Sequence, residues 1–261
     1  MHYPSFNSNR GAMRIVVPLC ATLIIASTGH AIAQSAHATS IGAGPVLVPG
    51  SSDLTTTHFR DTTISYRFIQ DRLPNGDSVN AVRGVGHEQV RHITYRGRPA
   101  IRLVKTVDLN GLMYVDSSTV LAEGLAPQLE VSILGPRRAT YVYDGARVHR
   151  SVTQPDSATK TTDHDFGTSM FHFEGLDEVI RSIPLRPDYR TIVRLYSEGD
   201  DAIETDTISV EGRDRSGIWN VRFADPVIIA HYGIDGTTRR IVHYDIARHA
   251  DRAHFLYVFD Q

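Results

Sequence analysis

Sulfur and lysine are scarce in this chain. Cys20 is its only cysteine, and Lys105 and Lys160 are its only lysines among 27 basic residues. Cys20 lies inside the apolar run Ile15–Ser27, ahead of the small-x-small triplet Ala31-Ile32-Ala33. Cleavage after Ala33 leaves a mature chain without disulfide, thiolate nucleophile or cysteine metal ligand. Leu19 precedes Cys20 and the run continues beyond it, so lipidation at Cys20 is not expected. The run is shorter than the roughly 20 apolar residues needed to span a bilayer. With Met13-Arg14 as its positive flank it reads as a signal peptide over residues 1–33, and Met13 is a candidate initiator. The expected location is periplasmic or secreted.

Catalytic signatures are scarce as well. No G-x-S-x-G elbow surrounds any serine. No H-E-x-x-H or H-x-H pair is present, and Gly84-Val85-Gly86 lacks the third glycine and following helix of a phosphate loop. Asp200-Asp201 follows Gly199 in a turn, not in a recognisable carboxylate dyad. The net charge is -2 with no basic cluster, which gives no pull toward nucleic acid. The densest polar group is Asp163-His164-Asp165 with His172 downstream. These are residue types that could ligate zinc or serve a hydrolase, placed on a long polar connection from Ser151 to His172 that reads as a mobile loop. No cofactor is implied.

Strand signals dominate what is there. After a leader rich in Ser, Thr, Ala, Gly and Pro (34–59, read as flexible), period-2 alternation runs through Ile64, Tyr66 and Phe68, through Leu129, Val131 and Ile133, and through Ile208 and Val210. This describes strands buried on one face. Asn110-Gly111, Asp144-Gly145 and Asp235-Gly236 each separate two such runs and favour tight hairpins. The gaps are too short for parallel crossovers. The fold expected is mainly β: a single domain over 60–261 built on a curved antiparallel sheet. One segment breaks the pattern. Leu176, Val179, Ile180 and Ile183 fall at i, i+3, i+4, i+7, one face of a short amphipathic helix stopped by Pro184. A helix this short needs the sheet to stabilise it.

The order of elements resembles the lipoprotein-localisation-factor (LolA/LolB-like) superfamily. The features that carry the resemblance are the exported leader, the strand Ile64–Gln70, and the turns at Gly97-Arg98-Pro99 and Asn110-Gly111. They continue with Tyr143-Asp144-Gly145-Ala146-Arg147-Val148, the helix ending Ile183-Pro184-Leu185-Arg186, and the late strands Val210-Glu211-Gly212 and Ile218-Trp219-Asn220-Val221. The resemblance implies a bent half-barrel with the helix packed on its concave face, and a cavity that receives acyl chains. On that basis Leu176, Val179, Ile180, Ile183 and Trp219 are the candidate ligand-binding residues, for an apolar small molecule, acyl chain, lipid or lipoprotein. A hydrolase using residues 163–172 and a structural module docking an envelope protein through a sheet edge are the alternatives.

Overall fold

The computed structural model describes the backbone of residues 16–17 and 21–22, and residues 44–155, 157–197 and 201–260. The expected signal peptide and residues 34–43 otherwise lie outside the described residues. Val16–Val17 (β1) and Ala21–Thr22 (β2) pair only with each other.

All other strands form one sheet. The first arm runs outward in chain order through Thr62–Arg72 (β4), Ser78–Tyr95 (β5), Arg98–Leu109 (β6), Leu112–Leu121 (β7), Pro127–Leu134 (β8), Arg137–Asp144 (β9), Arg147–Thr153 (β10) and Lys160–Asp165 (β11). The chain then passes through Phe171–His172 (β12) and a helix, and returns inward. Arg190–Ser197 (β13), Ala202–Arg213 (β14), Ile218–Ala224 (β15), Ile228–Asp235 (β16), Ile241–Arg248 (β17) and His254–Phe259 (β18) make the second arm. β18 pairs with β4, so the first and last long strands form the middle of the sheet. Val46–Leu47 (β3) adds in parallel to β13.

The two outer edges come together. β11 ends one arm and β12 ends the other, and only residues 166–170 join them. A chain covers at most about 3.6 Å per residue, so the sheet must curl until its edges approach. Among the described residues no ladder pairs β11 with β12, and side chains bridge the two arms instead. Tyr141, Tyr143 and Val148 of the first arm share an apolar cluster with Tyr196 of the second and Met170 of the connection. The Tyr141 and Tyr196 rings meet edge-on at 5.9 Å. Such edge-to-face pairs are favoured by the ring quadrupoles.

The tight turns follow their sequences. Asn110 and Gly111 both have positive φ, 57° and 91°, in the two-residue hairpin between β6 and β7. The Asp235-Gly236 connection is wider than its sequence suggests. β16 and β17 are separated by residues 236–240, and the positive φ falls on Arg239 at 60°. Asp235 accounts for this, because its Oδ1 accepts from the N–H groups of Thr237 (3.0 Å) and Thr238 (2.6 Å) and stabilises the broader loop. Gly86 is required by close approach: a Cβ there would overlap the Tyr66 ring and the Thr106 carbonyl.

Two expectations are corrected. Residues 160–165 are a strand, not loop; Lys160-Thr161-Thr162-Asp163-His164-Asp165 contains no apolar residue to announce it, yet pairs along its length with β10. The end of the leader is packed rather than flexible. Leu47 and Phe59 are buried, Thr56 Oγ1 donates to the Ala122 carbonyl, and Tyr189 donates to Asp53 at 3.0 Å.

The helix stands where the spacing places it. A 3-10 turn, Phe173–Gly175, leads into α1, Leu176–Ser182. Ile183 has extended dihedrals (φ -70°, ψ 160°), as a residue before proline prefers. All of α1 is buried, its polar residues included. The sheet therefore wraps the helix instead of receiving one face of it.

Candidate functional site

The helix divides the barrel interior into two surfaces. Leu176, Val179, Ile180 and Ile183 are at most 4% exposed and belong to the main apolar core. That core lines β4, β18 and the second arm with Tyr66, Phe68, Phe223, Tyr232, Tyr244, Phe255, Tyr257 and Phe259. The Tyr244 and Tyr257 rings stack at 4.2 Å, and Phe68 stacks on Phe255 at 5.4 Å. Burying each of the four aliphatic helix residues contributes about 1.5–3 kcal/mol. Trp219 is only partly buried and packs on the margin of the same core, opposite Ile234.

The other surface is charged, and strand register explains it. Directly opposed residues in antiparallel strands share a face. One cross-strand row reads Glu88, Lys105, Asp116, Ser132, Ala139 across β5 to β9. The adjacent row reads Val90, Leu103, Ser118, Glu130, Tyr141. Both rows face inward, and the helix meets them with its own charges. Lys105 Nζ donates to Asp177, Ser118 Oγ donates to Glu178, and Arg181 Nη1 donates to Glu88 at 3.2 Å. Tyr143 donates to Glu130 Oε2 at 2.9 Å, and His172 Nδ1 lies 3.3 Å from the same oxygen. The leader covers the far side of the helix: Arg181 stacks 4.6 Å above the Phe59 ring, and the Thr55 N–H donates to the Ser182 carbonyl at 3.0 Å.

Five buried carboxyl groups (Glu88, Asp116, Glu130, Asp177 and Glu178) thus share the interior with Lys105, Arg181 and His172. Removing charge from water favours the neutral form. Burial, then the Glu130 charge, pushes the Asp116 carboxyl well above the carboxylate range. Burial likewise raises Glu88 and Glu178, though Arg181 opposes it at Glu88 and His172 at Glu178. Burial lowers His172, with Glu178 and Asp116 pulling the other way. Lys105 is the opposite case: burial would lower it, but Asp177, Glu88 and Glu178 together raise it, so it stays charged. Asp116 Oδ1, Glu88 Oε2 and Glu178 Oε2 have no hydrogen-bond partner among the described residues.

The polar residues of the 163–172 segment do not converge. Asp163 faces outward and pairs with His149 at 2.7 Å. His164 faces the interior side of the seam, 2.9 Å from Asp201. His172 is buried beside Glu130. Among the described residues no group of three or more His, Cys, Asp or Glu side chains could hold a metal ion.

Surface clefts among the described residues are bounded by other side chains. One, about 680 Å³, lies between residues 49–54 and the ends of β5–β10, with Arg96, Arg98, Glu123 and Asp144 on its walls. A second, about 350 Å³, is lined by Thr56, Arg98, Pro99, Leu121, Ala122 and Glu123. A third, about 400 Å³, opens on β9–β11.

Sequence reasoning found the apolar half of the interior and missed the charged half. Glu88, Lys105 and Asp116 sit on strands far from the helix in sequence. Asp177 and Arg181 were the available signal: they lie at i, i+4 on a helix that has to be enclosed, so partners on the sheet are required.

The chain is thus one open, curved sheet, antiparallel except where β3 and β12 pair with β13, wrapped around one short helix. No family model matches it, and no curated protein matches it in sequence. One solved structure aligns with it, described as a beta-barrel-like protein of a domain of unknown function, DUF1849, from Brucella abortus. That alignment covers 76% of this chain and 95% of the other, at 14% identity and a TM-score of 0.38.

Proposed function

We propose that this is an exported binding protein or carrier for an apolar ligand such as an acyl chain, and that α1 is the displaceable plug of its binding site. One observation carries the reading: the aromatic and aliphatic wall of the barrel is covered from inside by a helix of seven residues. A chain-like ligand could replace the contacts of Leu176, Val179, Ile180 and Ile183 one for one, since apolar burial is non-directional. The charged face of α1 fixes one position of the helix, through the contacts of Asp177 with Lys105, Glu178 with Ser118 and Arg181 with Glu88. The resemblance in element order to the lipoprotein-localisation-factor superfamily points the same way, and so does the expected export signal.

The site on this reading comprises Leu176, Val179, Ile180 and Ile183 as the plug, with Trp219 at the rim of the wall. Native mass spectrometry of the protein taken directly from the cell envelope tests it. A co-purifying mass in the range of a fatty acid or phospholipid, lost on delipidation, is the expected result. A bare polypeptide mass, together with no binding of a fluorescent fatty acid in solution, would count against it.

A further inference from the structure

We infer that the cleft on β9–β11 binds an anionic group, a carboxylate or phosphate. This rests on the carrier reading and names its ligand class as anionic amphiphiles.

The inference comes from where the inward rows of the sheet end. The row of Glu88, Lys105 and Asp116 continues through Ser132, Ala139 and Val152 to Lys160. The row of Ser118, Glu130 and Tyr141 continues to Arg150 and Thr162. The next row passes Gly86, Val107, Tyr114 and Leu134 and ends at Arg137. Three successive inward rows therefore each carry one cation on β9, β10 or β11, and Arg137, Arg150 and Lys160 line one cleft of about 400 Å³.

The cleft has the composition an anion requires. Thr162, Ser157 and Gln154 supply neutral donors beside the cations, and Val152 gives it an apolar floor. Arginine presents a planar fork matched to carboxylate and phosphate, and lysine adds a point charge. The concentration is local, since the whole chain carries a net charge of -2. The acids of β11 point the other way: Asp163 and Asp165 lie on the outer face, paired with His149 and with Arg147 at 3.0 Å. On the inner side Asp201 reaches Arg150 at 3.5 Å and is itself held by Tyr196 and His164. The cleft thus offers a head-group site at the end of the charged rows of the first arm, on the inward face of the same sheet.

The test uses the full chain and three probes: oleate, the neutral chain monooleoylglycerol, and inorganic phosphate. Two variants each place a carboxylate in the cleft, Lys160→Glu and Thr162→Glu; both sites are at least partly exposed. Oleate should bind more tightly than monooleoylglycerol, and each variant should weaken oleate about tenfold, roughly 1.4 kcal/mol, while leaving the neutral chain unchanged. Equal binding of both chains, untouched by the variants, overturns the anion site and leaves the carrier reading standing. Phosphate binding lost in the variants, with no chain bound, keeps the anion site as one for a free anion and overturns the carrier reading. Binding of neither overturns both.

Discussion

Lys105 on β6 and Asp177 on α1 stand 72 positions apart in sequence and in direct contact inside the barrel, each side chain less than a tenth exposed. Their contact joins the helix to the first arm of the sheet, as the contact of Arg181 with Glu88 does one turn further on. Taking charges out of water is costly, so neither partner tolerates the loss of the other.

Lys105→Met should therefore lower stability by about 3–5 kcal/mol, because it leaves Asp177 and Glu88 short of a cation. The double variant Lys105→Met/Asp177→Leu should recover most of that loss, since apolar packing replaces the pair. Urea denaturation of the four proteins of the cycle measures both effects. A double variant as unstable as the sum of the singles would show that the two residues act independently.

Gly86→Ala should cost about 1–3 kcal/mol, the usual penalty for overpacking a core. The added methyl group would meet the Tyr66 ring and the Thr106 carbonyl. Gly97→Ala is the informative control: nothing lies within 4 Å of a Cβ there, but φ is 78°. Its loss should come from backbone strain alone and be smaller. Thermal denaturation compares the two.

Asp206 on β14 faces inward beside Ile208, and both its carboxylate oxygens lack hydrogen-bond partners among the described residues. Burial, helped by the Asp225 and Glu204 charges, pushes it up to about 8. The unfolded chain releases this proton near pH 3.9 and the folded chain holds it to about 8, so the residue weakens the fold progressively across that window. Asp206→Asn should remove this decline, with the largest gain over wild type at and above pH 8. Urea titrations at a series of pH values check the sign; equal pH dependence of the two proteins would refute it.

His254 behaves oppositely. Its Nε2 lies 3.1 Å from Asp245 and its Nδ1 3.1 Å from Asp71, so both nitrogens are placed to donate. The hydrogen bond to Asp245 is the largest of the influences that raise its pKa, while partial burial opposes them. The stabilisation is complete below the unfolded value near 6.5 and is lost as pH rises through the raised folded value. His254→Gln should flatten the stability profile above neutrality, and NMR titration of the imidazole should show its raised midpoint directly.

Much of this fold was legible in the sequence, for physical reasons that also mark where legibility stops. Ile64, Tyr66 and Phe68 alternate with polar residues because one face of β4 meets the core, and Asn110-Gly111 turns because both residues accept positive φ. The helix announced itself through Leu176, Val179, Ile180 and Ile183. β5 is harder: its inward set Gly84, Gly86 and Glu88 looks polar, while Val85 on the same strand is 53% exposed. Alternation alone would turn that segment inside out. Only pairing with Lys105 and Arg181, residues distant in sequence, fixes its orientation. The candidate site divides along the same line, its apolar half carried by local spacing and its charged half by register across β5 to β11.

The displaceable helix is tested most directly by amide hydrogen exchange of the full chain with and without oleate. Residues 176–182 should be protected in the free protein and lose protection when oleate binds, while β4 and β18 at the middle of the sheet stay protected. Oleate binding that leaves the helix amides as slow as before would contradict the plug.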